Sequence, residues 1–155
     1  MLEYRKTLDL AAPLAHVWDV IADFPGYRAI VPEFKEAVVE ARGEGTARVR
    51  FVLALAVRTV TYRLDYVLEP PRRLSWTLAE SDLLKANEGE WLLEEAGDRT
   101  RVTYVHRTEF PAWIAWAVGA AAYAREMDKT LGKFRDRIEG KAPDGAERIR
   151  RLIEE

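Results

Sequence analysis

Apolar positions along this chain change period at three points, and each change marks an element boundary. Residues 3 to 11 alternate, with Tyr4, Lys6, Leu8 and Leu10 on one side and Arg5, Thr7 and Asp9 on the other. That is the period of a β-strand. Pro13 then opens a short helix with Val17, Trp18, Val20 and Ile21 on its apolar side, and Asp23-Phe24-Pro25-Gly26 breaks it. Proline suits the first helical turn and glycine the break. A second short helical turn runs through Tyr27 and Ile30 and ends at Pro32, since proline cannot continue a helix.

From Phe34 to Phe110 the alternation returns in six segments separated by turns. They are Phe34 to Ala41, Thr46 to Val57, Thr59 to Glu69, a strand around Leu74, Trp76 and Leu78, Leu84 to Glu95, and Thr100 to Phe110. The turns fall at Gly43-Glu44-Gly45, Pro70-Pro71, Glu80-Ser81-Asp82 and Gly97-Asp98. Short links favour antiparallel neighbours. One face of these strands is apolar, while Arg63, Asp65, Glu88 and Glu90 fall on the other, as expected of a sheet with one wet side.

The last change gives one long helix, expected from Pro111 to Ile138. Trp113, Ala117, Ala120, Ala124, Met127, Leu131, Phe134 and Ile138 recur in steps of three and four, which places them on one stripe. Lys133, Arg135 and Arg137 suit the negative end of the helix dipole, and Gly140 suits the exit. The centre, Val118 to Ala124, is nearly bare of large side chains. Such a window either lets the sheet approach or leaves room for another molecule. The expected class is α+β: a curved antiparallel sheet of about seven strands wrapped around a long C-terminal helix. Residues 1–140 form the domain, and residues 141–155 form a polar tail with a weak apolar repeat at Ile149, Leu152 and Ile153.

Composition narrows the function. A length of 155 residues, 48% hydrophobic and 32% charged, fits a single globular domain. A net charge of −2 argues against a nucleic-acid binder. The absence of cysteine excludes disulfides, thiolate metal ligands and thiol catalysis. His16 and His106 are far apart with no carboxylate pattern between them, so no metal and no cofactor is expected. The start of the chain lacks a signal-peptide core, and its longest apolar run, Ala112 to Ala124, is too short to span a bilayer. A cytoplasmic protein without stable membrane insertion is expected.

Several short motifs resemble one superfamily. Ala12-Pro13, Val17-Trp18, Asp23-Phe24, Tyr27 and Val31-Pro32 look like the opening of START-like proteins. Gly89-Glu90-Trp91-Leu92-Leu93 and Thr100-Arg101-Val102-Thr103-Tyr104 look like later strands of its polyketide cyclase/dehydrase and coenzyme-Q-binding branch. The resemblance spans about residues 3 to 138 and implies the helix-grip fold, with a hydrophobic cavity between sheet and helix. Members bind lipids, sterols, quinones or polyketides, and only some are enzymes, so fold alone does not select an activity.

Candidate ligand contacts are the inward strand residues Phe51, Leu53, Tyr62, Leu64, Tyr66, Trp76, Asn87, Trp91, Tyr104 and His106. From the helix come Trp113, Ala117, Ala120, Ala121, Ala124 and Met127. Inward aromatics are ordinarily core; beside a bare helix centre they also suit an apolar pocket. Asn87 is placed to meet a ligand carbonyl, and His106 to act as hydrogen-bond partner or general base. His16 is expected on the surface. The leading expectation is a binding protein for a lipid, quinone or polyketide-like aromatic. A cyclase or dehydratase using His106 and Tyr104 is the alternative, and a protein-interaction module a third. Val52, Ala54 and Ala56, apolar on the outer face, suggest a homodimer.

Overall fold

The computed structural model describes residues 1–56 and 58–140; Val57 and the tail with Ile149, Leu152 and Ile153 lie outside the described residues. Seven strands form one antiparallel sheet: β1 (Leu2–Leu10), β2 (Phe34–Gly43), β3 (Thr46–Ala54), β4 (Thr59–Glu69), β5 (Arg73–Ser81), β6 (Ala86–Ala96) and β7 (Arg99–Glu109). Their spatial order is β1-β7-β6-β5-β4-β3-β2, so the first strand pairs with the last and the other six form a meander. Four helices follow the same chain order: α1 (Leu14–Ala22), α2 (Tyr27–Ile30), α3 (Ala112–Ala115) and α4 (Ala120–Ile138), with a 3₁₀ turn at Phe24–Gly26. This is the helix-grip architecture expected from the pattern.

Curvature has local causes. The β2–β3 register shifts between Phe34 and Glu36 and again between Val39 and Ala41, and β4–β5 shifts at Arg63/Leu64. Extra residues of this kind raise the twist and bend the strand. The concave face carries Val49, Phe51, Tyr62, Leu64, Leu74, Trp91, Leu93 and Val102, all buried. The convex face carries ion pairs between strands: Arg48–Asp65 at 2.7 Å and Arg73–Glu90 at 2.9 Å join neighbours, and Arg63–Glu40 at 2.7 Å reaches from β4 over β3 to β2. Exposed pairs of this sort contribute little each, but they keep the outer face wet and the register fixed. Val52 and Ala54 on that face are half-buried, and Ala56 is exposed but lies past the end of β3, so the expected outer apolar stripe is narrow.

The expected single helix from Pro111 to Ile138 is two helices. The chain leaves helical geometry after Trp116 and restarts at Ala120, with Gly119 extended (φ −73°, ψ 160°) as its N-cap. A packing conflict accounts for the break. Ile114 and Tyr123 are both buried, yet nine residues is about 2.5 turns of a continuous helix, which would put them on opposite faces. Gly119 is a poor helix-interior residue and an acceptable cap. Downstream the stripe runs Tyr123, Met127, Leu131, Phe134, Ile138. Upstream, Trp113, Ala117, Ala120 and Ala121 face solvent instead of the sheet, because the break resets the helical phase. Ala124 and Met127 remain packed against the core.

His16 lies on the surface as expected, but its Nε2 is 2.9 Å from the carbonyl of Ile138 and so caps the last turn of α4. The break yields a sharp expectation for urea unfolding. Phe134→Ala should cost about 3–5 kcal/mol, as for a buried aromatic. Ala120→Leu should change stability by less than about 0.5 kcal/mol, as for an exposed site. A large effect of Ala120→Leu would mean that the helix is continuous after all.

Candidate functional site

Aromatic rings fill the space between the sheet and α4. Phe24 meets Tyr66 at 4.3 Å between ring centroids, Trp91 meets Tyr104 at 4.7 Å, and Phe51 meets Tyr62 at 5.4 Å. Phe134 reaches from α4 to Tyr27 at 5.1 Å and to Trp91 at 5.4 Å. These separations are those of favourable aromatic pairs. Among the expected contacts, Phe51, Tyr62, Leu64, Tyr66, Trp76, Asn87, Trp91 and Tyr104 are thus brought together in the core, with Leu53 and His106 half-buried beside them. Burial holds the hydroxyls of Tyr66 and Tyr104 well above the usual tyrosine range, so both stay protonated.

Trp76 is positioned by two neighbours. Its Nε1–H donates to the Asn87 Oδ1 at 3.0 Å, so the Asn87 carbonyl is engaged within the protein. Its ring also lies over Gly89, where a Cβ would come within 2.5 Å of it and 2.3 Å of the Val105 carbonyl oxygen. Only glycine leaves room there.

His106 has a partner that pattern reading missed. Its Nδ1 and the Tyr123 hydroxyl form a hydrogen bond, and that hydroxyl also lies 3.3 Å from the His106 carbonyl oxygen. Tyr123 sits inside the alanine run; a lone large residue among alanines was the available signal, but its phase was hidden by the helix break. If Tyr123 gives its proton to Nδ1, Nε2 is a donor; if to the carbonyl, Nε2 is an acceptor. In either tautomer Nε2 has no hydrogen bond among the described residues. Burial lowers the His106 pKa from 6.5 to about 4, so the ring is neutral at neutral pH. Nearby, Tyr4 donates to Asp128 Oδ1 at 2.5 Å and ties β1 to α4, which holds the Asp128 carboxyl below its usual range.

Open space lies one step further along the same row. Leu2 pairs with Thr108 across β1 and β7, next to the Tyr4–His106 pair. There a cleft of about 290 Å³ is lined by Met1, Leu2, Thr108, Phe110, Ala112, Ala115 and Val118, with Lys85 and Glu109 at its edge. The cleft therefore lies under α3, at the end of the sheet, rather than under the centre of the long helix. A second hollow of about 310 Å³ on the convex face has four of its charged lining residues in ion pairs, Arg73 with Glu90 and Arg107 with Glu88. Among the described residues no group of three or more metal-ligating side chains occurs.

A curved sheet gripping one helix around an aromatic interior is the helix-grip fold. Residues 1–139 match the family described as polyketide cyclase/dehydrase and lipid transport, and the chain belongs to that family. No curated protein sequence matches it. Among solved structures, TTHA0849 from Thermus thermophilus is similar at 20% identity and a TM-score of 0.76, over 88% of this chain and 96% of that one. A START superfamily protein from Mycobacterium smegmatis is similar at 17% identity and 0.76, over 90% and 99%. The Zhui aromatase/cyclase from Streptomyces sp. R1128 is similar at 22% identity and 0.70, over 88% and 94%. At these identities the likeness shows the fold alone.

The His106 environment sets a pH dependence. The unfolded chain takes up a proton at His106 near pH 6.5 and the folded chain only near pH 4. Between those values the unfolded state binds more protons, so stability falls as pH falls through that window. Replacing His106 by Gln should flatten this part of the stability profile by roughly 1–3 kcal/mol. Chemical denaturation at pH 7, 5.5 and 4.5 would measure it, and an unchanged slope would count against a buried neutral ring.

Proposed function

We propose that the protein binds a neutral, largely apolar small molecule carrying a carbonyl or hydroxyl group, and carries it without transforming it. One observation supports this above the others: a largely apolar cleft lies under α3 at Thr108, one inward position along β7 from His106, whose Nε2 has no hydrogen bond among the described residues. Pockets with apolar walls and few polar groups are the usual form of a small-molecule site. A neutral imidazole hydrogen-bonds a carbonyl or hydroxyl but has no charge with which to hold a carboxylate. A quinone or polyketide-like aromatic fits this chemistry better than a fatty acid. The family description, polyketide cyclase/dehydrase and lipid transport, is in keeping with a polyketide-like aromatic as one such ligand.

The enzymatic alternative has less support. His106 stacks on Tyr104 with centroids 6.4 Å apart and planes 6° off parallel, and bonds Tyr123 instead. A base with a pKa of about 4 is weak at neutral pH, because general catalysis is most effective when the pKa lies near the working pH.

Native mass spectrometry of the protein after exposure to a lipid extract would identify the ligand class. Titration with a short-chain quinone, a methyl ketone and a fatty acid of equal length should then rank the fatty acid last. Ala115→Trp, which fills the cleft, should abolish binding. His106→Phe should weaken it by roughly threefold to tenfold, the value of one hydrogen bond. Undiminished binding by Ala115→Trp would sink the cleft as the site.

A further inference from the structure

The segment that walls the cleft also presents a surface that neither the fold nor the cleft explains. Trp113 is 62% exposed and Trp116 is 91% exposed. They lie three residues apart on one turn and therefore share a face. No charged residue occurs from Phe110 to Ala124, and Ala112, Ala115, Ala117, Gly119, Ala120 and Ala121 are also exposed. The turn is fully formed, with Ala115 N–H donating to Pro111 O at 2.9 Å, Trp116 to Ala112 O at 3.1 Å and Val118 to Ile114 O at 3.0 Å. Gly119 supplies no side-chain cap for the N–H groups that open α4, so the face suits the hydrated headgroup boundary, where water and phosphate meet such groups, rather than the hydrocarbon interior.

We propose that this face docks on the surface of a phospholipid bilayer, with Trp113 and Trp116 seated at the headgroup level. Tryptophan prefers that level because its ring is apolar and its N–H still finds a partner. Two cations border the face. Lys85 lies at the cleft edge, and Arg125 follows Ala121 by one turn on the exposed side of α4. Neither makes an ion pair among the described residues, and each is free to meet a lipid phosphate. The acid at this edge, Glu109, accepts from the Lys85 N–H through its backbone carbonyl at 2.9 Å, so Lys85 sits beside it.

A protein partner fits less well. Protein interfaces carry about one hydrogen bond per 100–200 Å². This face offers two indole N–H groups and alanines, while the Tyr123 hydroxyl is already bonded to His106. Such a face favours a fluid apolar partner over a directional one. Among the described residues no helix is long and apolar enough to cross a membrane, so the contact is interfacial.

Vesicle flotation tests this, using phosphatidylcholine alone and mixed with phosphatidylglycerol, with quenching of tryptophan emission by brominated lipid as a second readout. The parent protein should float with the mixed vesicles and be quenched. Trp113→Ala with Trp116→Ala should lower the bound fraction at least about tenfold, since interfacial binding scales with buried apolar area. Trp116→Ala alone, at the most exposed position, serves as a variant that folds. Lys85→Glu with Arg125→Glu should weaken binding to the mixed vesicles and not to phosphatidylcholine alone. His106→Phe should float like the parent, which separates this surface from the small-molecule site. A parent that stays in the soluble fraction overturns the proposal, as does undiminished flotation without both tryptophans. Sedimentation that shows a parent dimer, a monomeric tryptophan variant and no vesicle binding would assign the face to a second copy instead.

Discussion

The packing of Phe134 between Tyr27 and Trp91 governs the geometry of the rest of this domain. Those contacts join α4 to α2 on one side and to the middle of the sheet on the other. A helix fixed at Phe134 is fixed in rotation as well as position. Leu131 and Tyr123 then fall on the same stripe, which brings the Tyr123 hydroxyl to His106, and Asp128 comes within reach of Tyr4 on β1. The polar groups of the interior thus depend on an aromatic contact that itself carries no polarity.

The interruption before Ala120 follows from the same constraint. With Tyr123 committed to the interior, a continuous helix would direct Ile114 away from it. Breaking the helix lets Ile114 and Val118 pack at the end of the sheet. The consequence is functional. Small side chains that would have thinned the centre of the grip come to the surface instead, and the open space moves under α3. The interior proper is largely filled by rings in contact, so the cleft under α3 is a product of packing at the end of the sheet rather than part of one large hollow.

Much of this arrangement was legible in residue patterns. Alternation in β4, Tyr62-Leu64-Tyr66 against Arg63-Asp65, fixes which face is buried because a strand repeats every two residues. The outer ion pairs follow from the same parity. The stripe of α4 from Ala124 onward was also readable, since Leu131, Phe134 and Ile138 recur at helical spacing. The inward parity of the set from Phe51 to Tyr104 was legible, but a list of inward aromatics is compatible with either a core or a cavity. Only the distances between their rings distinguish the two. Asn87 illustrates the same ambiguity: its parity was evident, and its bond to Trp76 was not.

The sequence by itself determined the element types, the faces and the antiparallel class, because these rest on local periodicity and on turn residues such as Gly97-Asp98. Tertiary structure decided where β1 pairs, where the last helix breaks, and which residues of the alanine run point inward. Each of these depends on contacts between positions far apart in the chain: β1 with β7, Phe134 with Tyr27, His106 with Tyr123. A helical stripe is defined only up to an interruption. Whether the chain is interrupted depends on the free energy of burying Ile114 and Tyr123 together, a quantity that no local pattern contains.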